Sequence, residues 1–496
     1  MHYNLINILD SHGFGNKITP NSIYINLYKS IKSAIINRSI KENYKLPPTR
    51  ILARDLEISR STVIKAYELL SLENFVKSVP GSGYFVTSLK HKKMYYNLQT
   101  NSKAYEYPTI SEKGIVFQKN IHIINNAVSN DNIAFKPGLP PLDIFPINKW
   151  KKLKNLYWNS VRPSQLSYSE AIGNEGLRRN ISDYLKIYRN IDCEPNQIII
   201  TSGSLHSLYL ISNALVNKND KVMMENLSYP HAFRLFKSLN AKIALVDLNK
   251  EKIDLGRVNS KGAKFFYAIP SNQSYSGTKM AMDKRLKLTQ WASKNGSLII
   301  EDDYEHEFSN WKNPLASIYS LDKQDRVIYL GTFNKLLHPS IRLGYMIVPK
   351  YLISPILGIY EQSSRFMPSE TQKIMSLFIE KDYLNQHIRN VVKIAHERKK
   401  IFIEQFDLAF KNEIMLDPSN IGLNIIGRFK NKKINDKELS KHLLNYGIVT
   451  NPLSKYYLKK PKEKGLVMGY SCVNSKTIKE TIVKMKEIFD NYMSLQ

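Results

Sequence analysis

Residues 327–345 read VIYLGTFNKLLHPSIRLGY. The apolar run 327–330 has the length and composition of a buried strand, and it empties into the small polar residues Gly331, Thr332 and Asn334 around a single lysine, Lys335. Arg342 follows seven residues later, just before a second apolar run at 344–348. A lone lysine after a strand is ordinarily a surface lysine. One flanked by small polar residues, with an arginine a helical turn or two away, suggests a Schiff-base lysine beside a phosphate clamp. Further strand-like runs stand at 198–201, 222–225, 265–269 and 298–301, with helical stretches between them. This alternation implies an α/β domain of parallel strands and crossover helices, whose ligands gather at the carboxyl ends of the strands.

Three more strand ends carry chemistry. Residues 201–206, TSGSLH, put small residues where a helix opens, which is either a plain cap or a cradle of backbone amides for a phosphate. Residues 301–308, EDDYEHEF, end the apolar run 298–300; the acids there suit a metal, a cationic ring nitrogen or a solvated loop. Residues 268–273, AIPSNQ, bring the Asn272 amide to the same edge, or make a simple turn. Each is weak alone. A lysine, a strand-end acid, an anion cradle and an arginine in one α/β domain are together the set that pyridoxal 5′-phosphate requires.

Residues 1–87 read differently. Thr19-Pro20-Asn21 is a helix start, and Ile23, Leu27, Ile31 and Ile35 then recur every four residues along one face. Pro47-Pro48 breaks the chain, with Thr49 as a candidate cap for a short helix from Arg50 to about Leu56. Glu57-Ile58 is a tight turn, and Ser59 suits the N-cap of a second helix running to about Glu73. Two short strands near 75–77 and 84–86 flank a turn with Gly81 and Gly83. The order is that of a winged helix-turn-helix, which presents the start of its second helix to DNA. Arg50, Ser59, Arg60, Ser61, Thr62 and Lys65, with Gly81 and Gly83 of the wing, are the candidate contacts; a protein-binding helical module is the alternative. Residues 88–131 hold no sustained period and read as a linker, leaving 132–496 for the α/β domain and a small C-terminal α+β lobe.

The composition fits a folded chain of several domains: 496 residues, 43% hydrophobic, 23% charged. Two cysteines, Cys193 and Cys472, exclude a disulfide framework and a cysteine zinc ribbon, and suit a reducing cytoplasm. No apolar run is long enough to span a membrane, and the first fifteen residues lack the pattern of a signal peptide. The net charge is +29, of which residues 1–90 carry +6 and residues 88–130 about +4. The excess is spread along the chain, so DNA binding rests on the helix-turn-helix pattern and not on charge.

Several stretches of the chain resemble the MocR/GabR family of bacterial transcription regulators. LPPTRILARDLEISRSTVIKAYELL and GSGYFV look like a GntR-type winged helix. FKPGLPPLDIFPINKW, YSEAIGNEGLRRNISDYL, EDDYEHEF, GTFNKLLHPSIRLGY and HIRNVVKIAHERKK look like the family's fold-type I aminotransferase-like domain, in order. The resemblance implies Lys335 as the Schiff-base lysine and Asp302 on the ring nitrogen. It implies Tyr304 and Asn272 on the ring hydroxyl, and Tyr229 stacked on the ring. Ser204, Leu205 (by its backbone amide), Thr332 and Arg342 would hold the phosphate, and Tyr168 would reach the phosphate of a partner subunit in a head-to-tail homodimer. Aminotransferases carry an arginine for the substrate carboxylate where this chain has Val467, and GABA-sensing members of the family carry one where it has His231. The resemblance thus implies a cytoplasmic, operator-binding regulator that senses pyridoxal phosphate, as the pyridoxine-synthesis regulators of the family do, with no net turnover. A regulator sensing an amine or amino acid through Lys335, and an active aminotransferase with a DNA-binding head, are the alternatives.

Overall fold

A computed structural model describes residues 3–14, 23–88, 109–120, 134–246, 261–271, 279–308, 315–417 and 422–494. The chain forms two compact units, Met1–Thr109 and Ile110–Gln496.

In the first unit, helices Tyr3–Ser11, Ile23–Ile36, Thr49–Asp55 and Arg60–Leu72 precede the hairpin Val76–Val79 and Gly83–Val86. Leu27, Ile31 and Ile35 of the long face bury against Leu52, Val63, Ala66, Tyr67 and Leu70. The Tyr67 hydroxyl, deep in this core, donates to the Pro47 carbonyl at 3.0 Å and ties the helix pair to the chain break before it. Ser59 caps its helix, its hydroxyl oxygen accepting from the Thr62 amide at 3.2 Å. Thr49 is not a cap: Pro48 holds that position and Thr49 is the first helical residue, its hydroxyl accepting from Arg60 instead. The helix Tyr3–Ser11, absent from the sequence expectation, buries Leu5 and Leu9 in the same core. The start at Thr19-Pro20-Asn21 lies outside the described residues. An isolated bridge from Lys45 to Phe85 extends the hairpin's pairing, with Leu46 donating to Tyr84 and Val86 to Tyr44.

The second unit is built on a seven-stranded sheet in the order Ile198–Thr201, Gly344–Ile347, Val327–Thr332, Leu298–Asp302, Ala263–Ala268, Lys221–Glu225, Lys242–Val246. From Val327–Thr332 to Lys242–Val246 every pairing is parallel. Gly344–Ile347 departs from the all-parallel expectation, being antiparallel to both its neighbours. The reason lies in the connection: residues 333–343 hold only the 3₁₀ turn Pro339–Ile341, too short for the helical crossover that a parallel partner needs. The strands are buried on both faces, with Ile198, Ile200, Val222, Phe265, Ile300 and Ile328 in one core and Met223, Phe266, Ile299 and Val327 in another.

Two helices, Ser369–Glu380 and Tyr383–Phe410, are separated at Asp382, whose φ of 58° no helix continues. A four-stranded antiparallel sheet follows, in the order Ile414–Leu416, Asn424–Phe429, Gly465–Gly469, Asn451–Pro452, with helices Asp436–Asn445 and Ser475–Ser494 packed on it. Within the stretch expected as a linker, Glu112–Lys119 is helical, capped by Ser111; it buries no side chain, which is why no apolar period marked it. The remaining described residues of that stretch carry no helix or strand.

Candidate cofactor site and nucleic-acid interface

Lys335 stands in the turn that follows Val327–Thr332, its side chain about a third exposed. Its ammonium Nζ donates to the Gly138 carbonyl at 2.8 Å and lies 4.0 Å from the fully buried carboxylate of Glu305. Gly138 has φ 74°, and a Cβ there would sit 2.4 Å from Nζ. Its amide donates to the Asn424 side chain at 2.6 Å, and Glu305 accepts from the Leu423 amide at 3.2 Å, so the C-terminal lobe fixes both residues around the lysine. Sequence reasoning assigned neither. Gly138→Ala is expected to displace the ammonium and to cost about 1–2 kcal/mol of backbone strain. It should slow condensation of the protein with pyridoxal phosphate, followed by visible absorbance; an unchanged rate would show that the Gly138 seat is immaterial.

The acidic run resolves into three neighbouring carboxylates with three fates. Glu301 accepts from the Ile318 and Tyr319 amides, both at 2.8 Å, and caps a short helix; burial raises its carboxyl. Burial would also raise Asp303, but the Arg189 guanidinium at 2.6 Å, His306 and the Ser271 and Tyr329 hydroxyls together more than offset it and hold that carboxyl low, Tyr329 donating at 2.8 Å. Asp302 is spoken for on one side only. Its Oδ2 accepts from the Tyr267 hydroxyl at 2.7 Å, while Oδ1 is buried without a hydrogen-bond partner. Burial pushes this carboxyl up to about 6, against the lowering influence of the Tyr267 and Ser204 hydroxyls. A buried carboxylate whose Oδ1 has no well-formed partner, with the Ser204 hydroxyl beside that of Tyr267 to support its charge, suits a protonated ring nitrogen. Tyr267 escaped the sequence reading because a tyrosine in an apolar strand looks like core.

Around this pair the strand ends converge. Gly203, with φ 118°, opens the helix Ser204–Leu215, where the amides of Ser204 and Leu205 have no carbonyl of a preceding turn to bond. Asn334 lies close enough that a Cβ on Gly203 would meet it at 3.0 Å. Asn334 also accepts from the Leu343 amide at 3.2 Å and donates its own amide to the Thr332 hydroxyl at 3.2 Å, lacing the lysine turn to the next strand. Arg342, exposed and at φ 50°, reaches the same region: burial lowers the His206 imidazole and the Arg342 charge lowers it further. Tyr229 caps the helix Pro230–Ser238. Its hydroxyl is raised first by burial and then by Asp302, with Arg342 and Arg234 opposing, so all three charges act at this ring. Tyr304 is half-buried against the large core. Tyr168 stands apart, 79% exposed with the Arg365 guanidinium 4.8 Å above its ring. Asn272 lies outside the described residues. Val467 is buried in an apolar cluster with Ile426, Leu453 and Tyr456. Among the described residues no cluster of His, Cys, Asp or Glu is arranged to hold a metal ion.

On the first unit, Arg50, Ser59, Arg60, Ser61, Lys65, Gly81 and Gly83 are exposed and Thr62 is half-buried. The Ser59 hydroxyl is bonded to those of Ser61 and Thr62 at 2.8 and 2.7 Å, so these three form one polar knot at the helix start. The Lys65 ammonium lies 5.7 Å from the Tyr24 ring. Lys45, not singled out in the sequence, lies over Phe85 beside the wing turn.

Residues 23–86 match the model of the bacterial regulatory proteins of the gntR family. Over its length the chain is 28% identical to the probable rhizopine catabolism regulatory protein MocR of Rhizobium meliloti, covering 93% of each. It is 23% identical to the pyridoxine biosynthesis transcriptional regulator PdxR of Corynebacterium glutamicum, covering 95% of this chain and 97% of that one. Over nearly its whole length the chain is thus similar to GntR/MocR-type helix-turn-helix transcription regulators that carry an aminotransferase-like domain. The solved multiple substrate aminotransferase of Thermococcus profundus superposes on 78% of this chain and 98% of its own, with a TM-score of 0.68 at 22% identity, which establishes the fold-type I aminotransferase architecture of the second unit. The match places the gntR-type DNA-binding helix-turn-helix in the first unit. No helix among the described residues is long and apolar enough to cross a membrane.

Proposed function

We propose that this regulator holds pyridoxal 5′-phosphate in its aminotransferase-like domain, joined to Lys335, and that the state of that site sets how the winged helix engages its operator. Asp302 carries the reading: its orphaned, buried oxygen ends one strand, and Lys335 follows the strand paired to it, with Asp302 opposite Leu330. When bound, pyridoxal phosphate supplies an aldehyde that condenses with amines and a ring that withdraws electrons. The rest is work for the chain. Asp302 keeps a proton on the ring nitrogen, and Tyr229 covers one ring face. The amides of Ser204 and Leu205, with Thr332 and Arg342, hold the phosphate; Asn272 and Tyr304 hydrogen-bond the ring hydroxyl. Gly138 and Glu305 hold the Lys335 ammonium until it gives up its proton. The exposure of Tyr168 supports its service to a second copy in a head-to-tail homodimer. Such a regulator works in the bacterial cytoplasm.

The apolar packing of Val467 favours pyridoxal phosphate itself as the signal, with control of vitamin B6 synthesis as the consequence, and argues against net transamination. The likeness to a regulator named for pyridoxine biosynthesis supports this; the likeness to one named for rhizopine catabolism supports the second reading, a small amine as effector. The deciding experiment titrates pyridoxal phosphate, then amines, against the protein bound to a duplex it has selected from a random pool. A change in affinity with the cofactor alone supports the first reading. A response to amines only supports the second, and no response to either refutes both.

DNA contact falls to Arg50, the Ser59–Thr62 knot, Arg60, Lys65 and the Gly81–Gly83 wing. Arg60→Ala should weaken binding to the selected duplex by about 1–3 kcal/mol if the guanidinium reads a base edge. Unchanged binding in a mobility-shift titration would move the recognition surface elsewhere.

A further inference from the structure

Most of the +29 lies outside the winged helix, and part of it is concentrated. Residues 429–433 and 459–464 read FKNKK and KKPKEK, seven lysines to one acid, so these stretches cannot neutralise themselves. The C-terminal sheet brings them together. Phe429 donates its amide to the Lys464 carbonyl at 3.1 Å, where the strands Asn424–Phe429 and Gly465–Gly469 run antiparallel, and the Lys464 ammonium donates to the Lys432 carbonyl at 3.2 Å. The Lys430 ammonium donates to the Lys411 carbonyl at 2.7 Å, which adds the end of the helix Tyr383–Phe410 to the same edge. The Asn431 side chain accepts from the Lys433 amide at 3.0 Å and fixes the turn that leads to the helix Asp436–Asn445. Lys411, Lys430, Lys432, Lys433 and Lys460 are exposed and Lys464 is half-buried.

The acids of this edge are already engaged. Arg428 pairs with Glu463 at 2.9 Å and with Asp417 at 3.2 Å, and Lys486 with Glu413 at 3.3 Å. Among the described residues none of the six lysines forms an ion pair. Elsewhere on the second unit exposed lysines face acids, as Lys154 does Glu370, Lys186 Asp192 and Lys350 Glu194. The Lys430 and Lys464 ammoniums are bonded to neutral carbonyls, which hold their position and leave their charge. Like charges gathered without counter-charge raise the local potential and draw anions from solution. Five of the six side chains stand in water, so the edge is no seat for one small anion; it suits a polyanion whose charges repeat along a surface.

We propose that this lysine edge of the C-terminal lobe is a second DNA surface, which takes the phosphates of duplex flanking the site read by the winged helix, without regard to base sequence. This rests on the reading that the winged helix engages an operator, which the match of residues 23–86 to the gntR family supports. A duplex carries one negative charge per about 1.7 Å of axis, so an edge of several lysines meets several phosphates, and each one neutralised releases condensed cations. Backbone contacts of this kind add affinity and fix register but carry no sequence preference.

The test uses the full-length protein and two duplexes. One is the shortest that keeps the affinity of a site selected from a random pool; the other extends that site by about 20 base pairs, roughly 70 Å, of unrelated sequence on each side. Each is titrated by fluorescence anisotropy over a series of salt concentrations. The wild type should bind the long duplex about tenfold more tightly than the short one at low salt, and its log affinity should fall more steeply with log salt by about 2 to 4, at about 0.9 for each phosphate neutralised. In Lys430→Gln/Lys432→Gln/Lys433→Gln/Lys464→Gln both differences should vanish while the short duplex is bound as before, which shows that the variant is folded. Arginine at the same four positions should keep both differences. No gain with length in the wild type, a gain that survives the glutamine substitutions, or an equal loss on both duplexes overturns the lysine edge. Single-stranded RNA that abolishes the gain at lower concentration than random duplex does would assign the edge to RNA and overturn it too. A wild type that prefers no selected site to random duplex, yet gains affinity with length through these lysines, would instead sink the operator reading alone.

Discussion

Lys335→Ala is expected to abolish the visible absorbance that the full-length protein gains on mixing with pyridoxal phosphate, and to remove any effect of the cofactor on operator binding. Lys335 is the lysine of the turn that follows the strand paired to the one ending in Asp302. Thr332 and Asn334 lace that turn to Leu343, and the strand behind it is buried almost throughout. The proposed phosphate cradle at Ser204 and Leu205 and the Asp302 carboxylate survive the substitution, so the variant should still bind the cofactor weakly without condensing with it. The variant also reports on Glu305. Taking away the ammonium 4.0 Å from a fully buried carboxylate removes part of its charge compensation, so the unloaded variant should melt below the unloaded wild type. An unchanged spectrum would refute Lys335 as the attachment point. A lost spectrum with an unchanged melting temperature would leave the attachment standing and refute the Glu305 contribution.

What the sequence made legible here was local. Ser59 as a cap, the four-residue recurrence of Leu27, Ile31 and Ile35, and the glycines of the wing are decided within a turn or two of chain. So was the strand–lysine–arginine stretch, because a buried strand followed by small polar residues is visible without knowing what lies above it. The partners of Lys335 were not. Gly138 is 197 residues away, and Glu305 is distinguished from the acids before it only by a left-handed turn and by the Leu423 amide across the domain. The same holds for the acidic run, where Asp302 and Asp303 are chemically identical in sequence; only Arg189, 114 residues upstream of Asp303, shows which of them is already neutralised. The antiparallel strand Gly344–Ile347 was misjudged because strand direction depends on the length of the connection, and the turn carrying Lys335 and Arg342 looked like part of a crossover helix.

Asp302→Asn is expected to move stability and cofactor affinity in opposite directions. Burial lifts the folded-state carboxyl from 3.8 to about 6. A carboxyl raised in this way costs nothing below about pH 4, where folded and unfolded chains both hold the proton. As pH climbs from there to about 6, the unfolded chain releases its proton while the folded one retains it, and stability is lost until the release is complete. A shift of this size corresponds to about 3 kcal/mol of destabilisation above pH 6 in the unloaded protein. Asparagine removes the charge but turns an amide toward the side where Oδ1 now lacks a partner, which returns about 1–2 kcal/mol. The unloaded variant should therefore be about 1–2 kcal/mol more stable than the wild type at pH 8 and should lose that advantage by pH 4, measured by urea unfolding at both values. Its affinity for pyridoxal phosphate should fall by about tenfold or more, because no anion remains to hold a proton on the ring nitrogen. Equal stability differences at the two pH values would mean that Asp302 is not the strained group the structure shows, and undiminished affinity would remove it from the ring site. Both outcomes as expected would identify a carboxylate kept in an unfavourable place for a ligand, stability given up at the site where binding needs it.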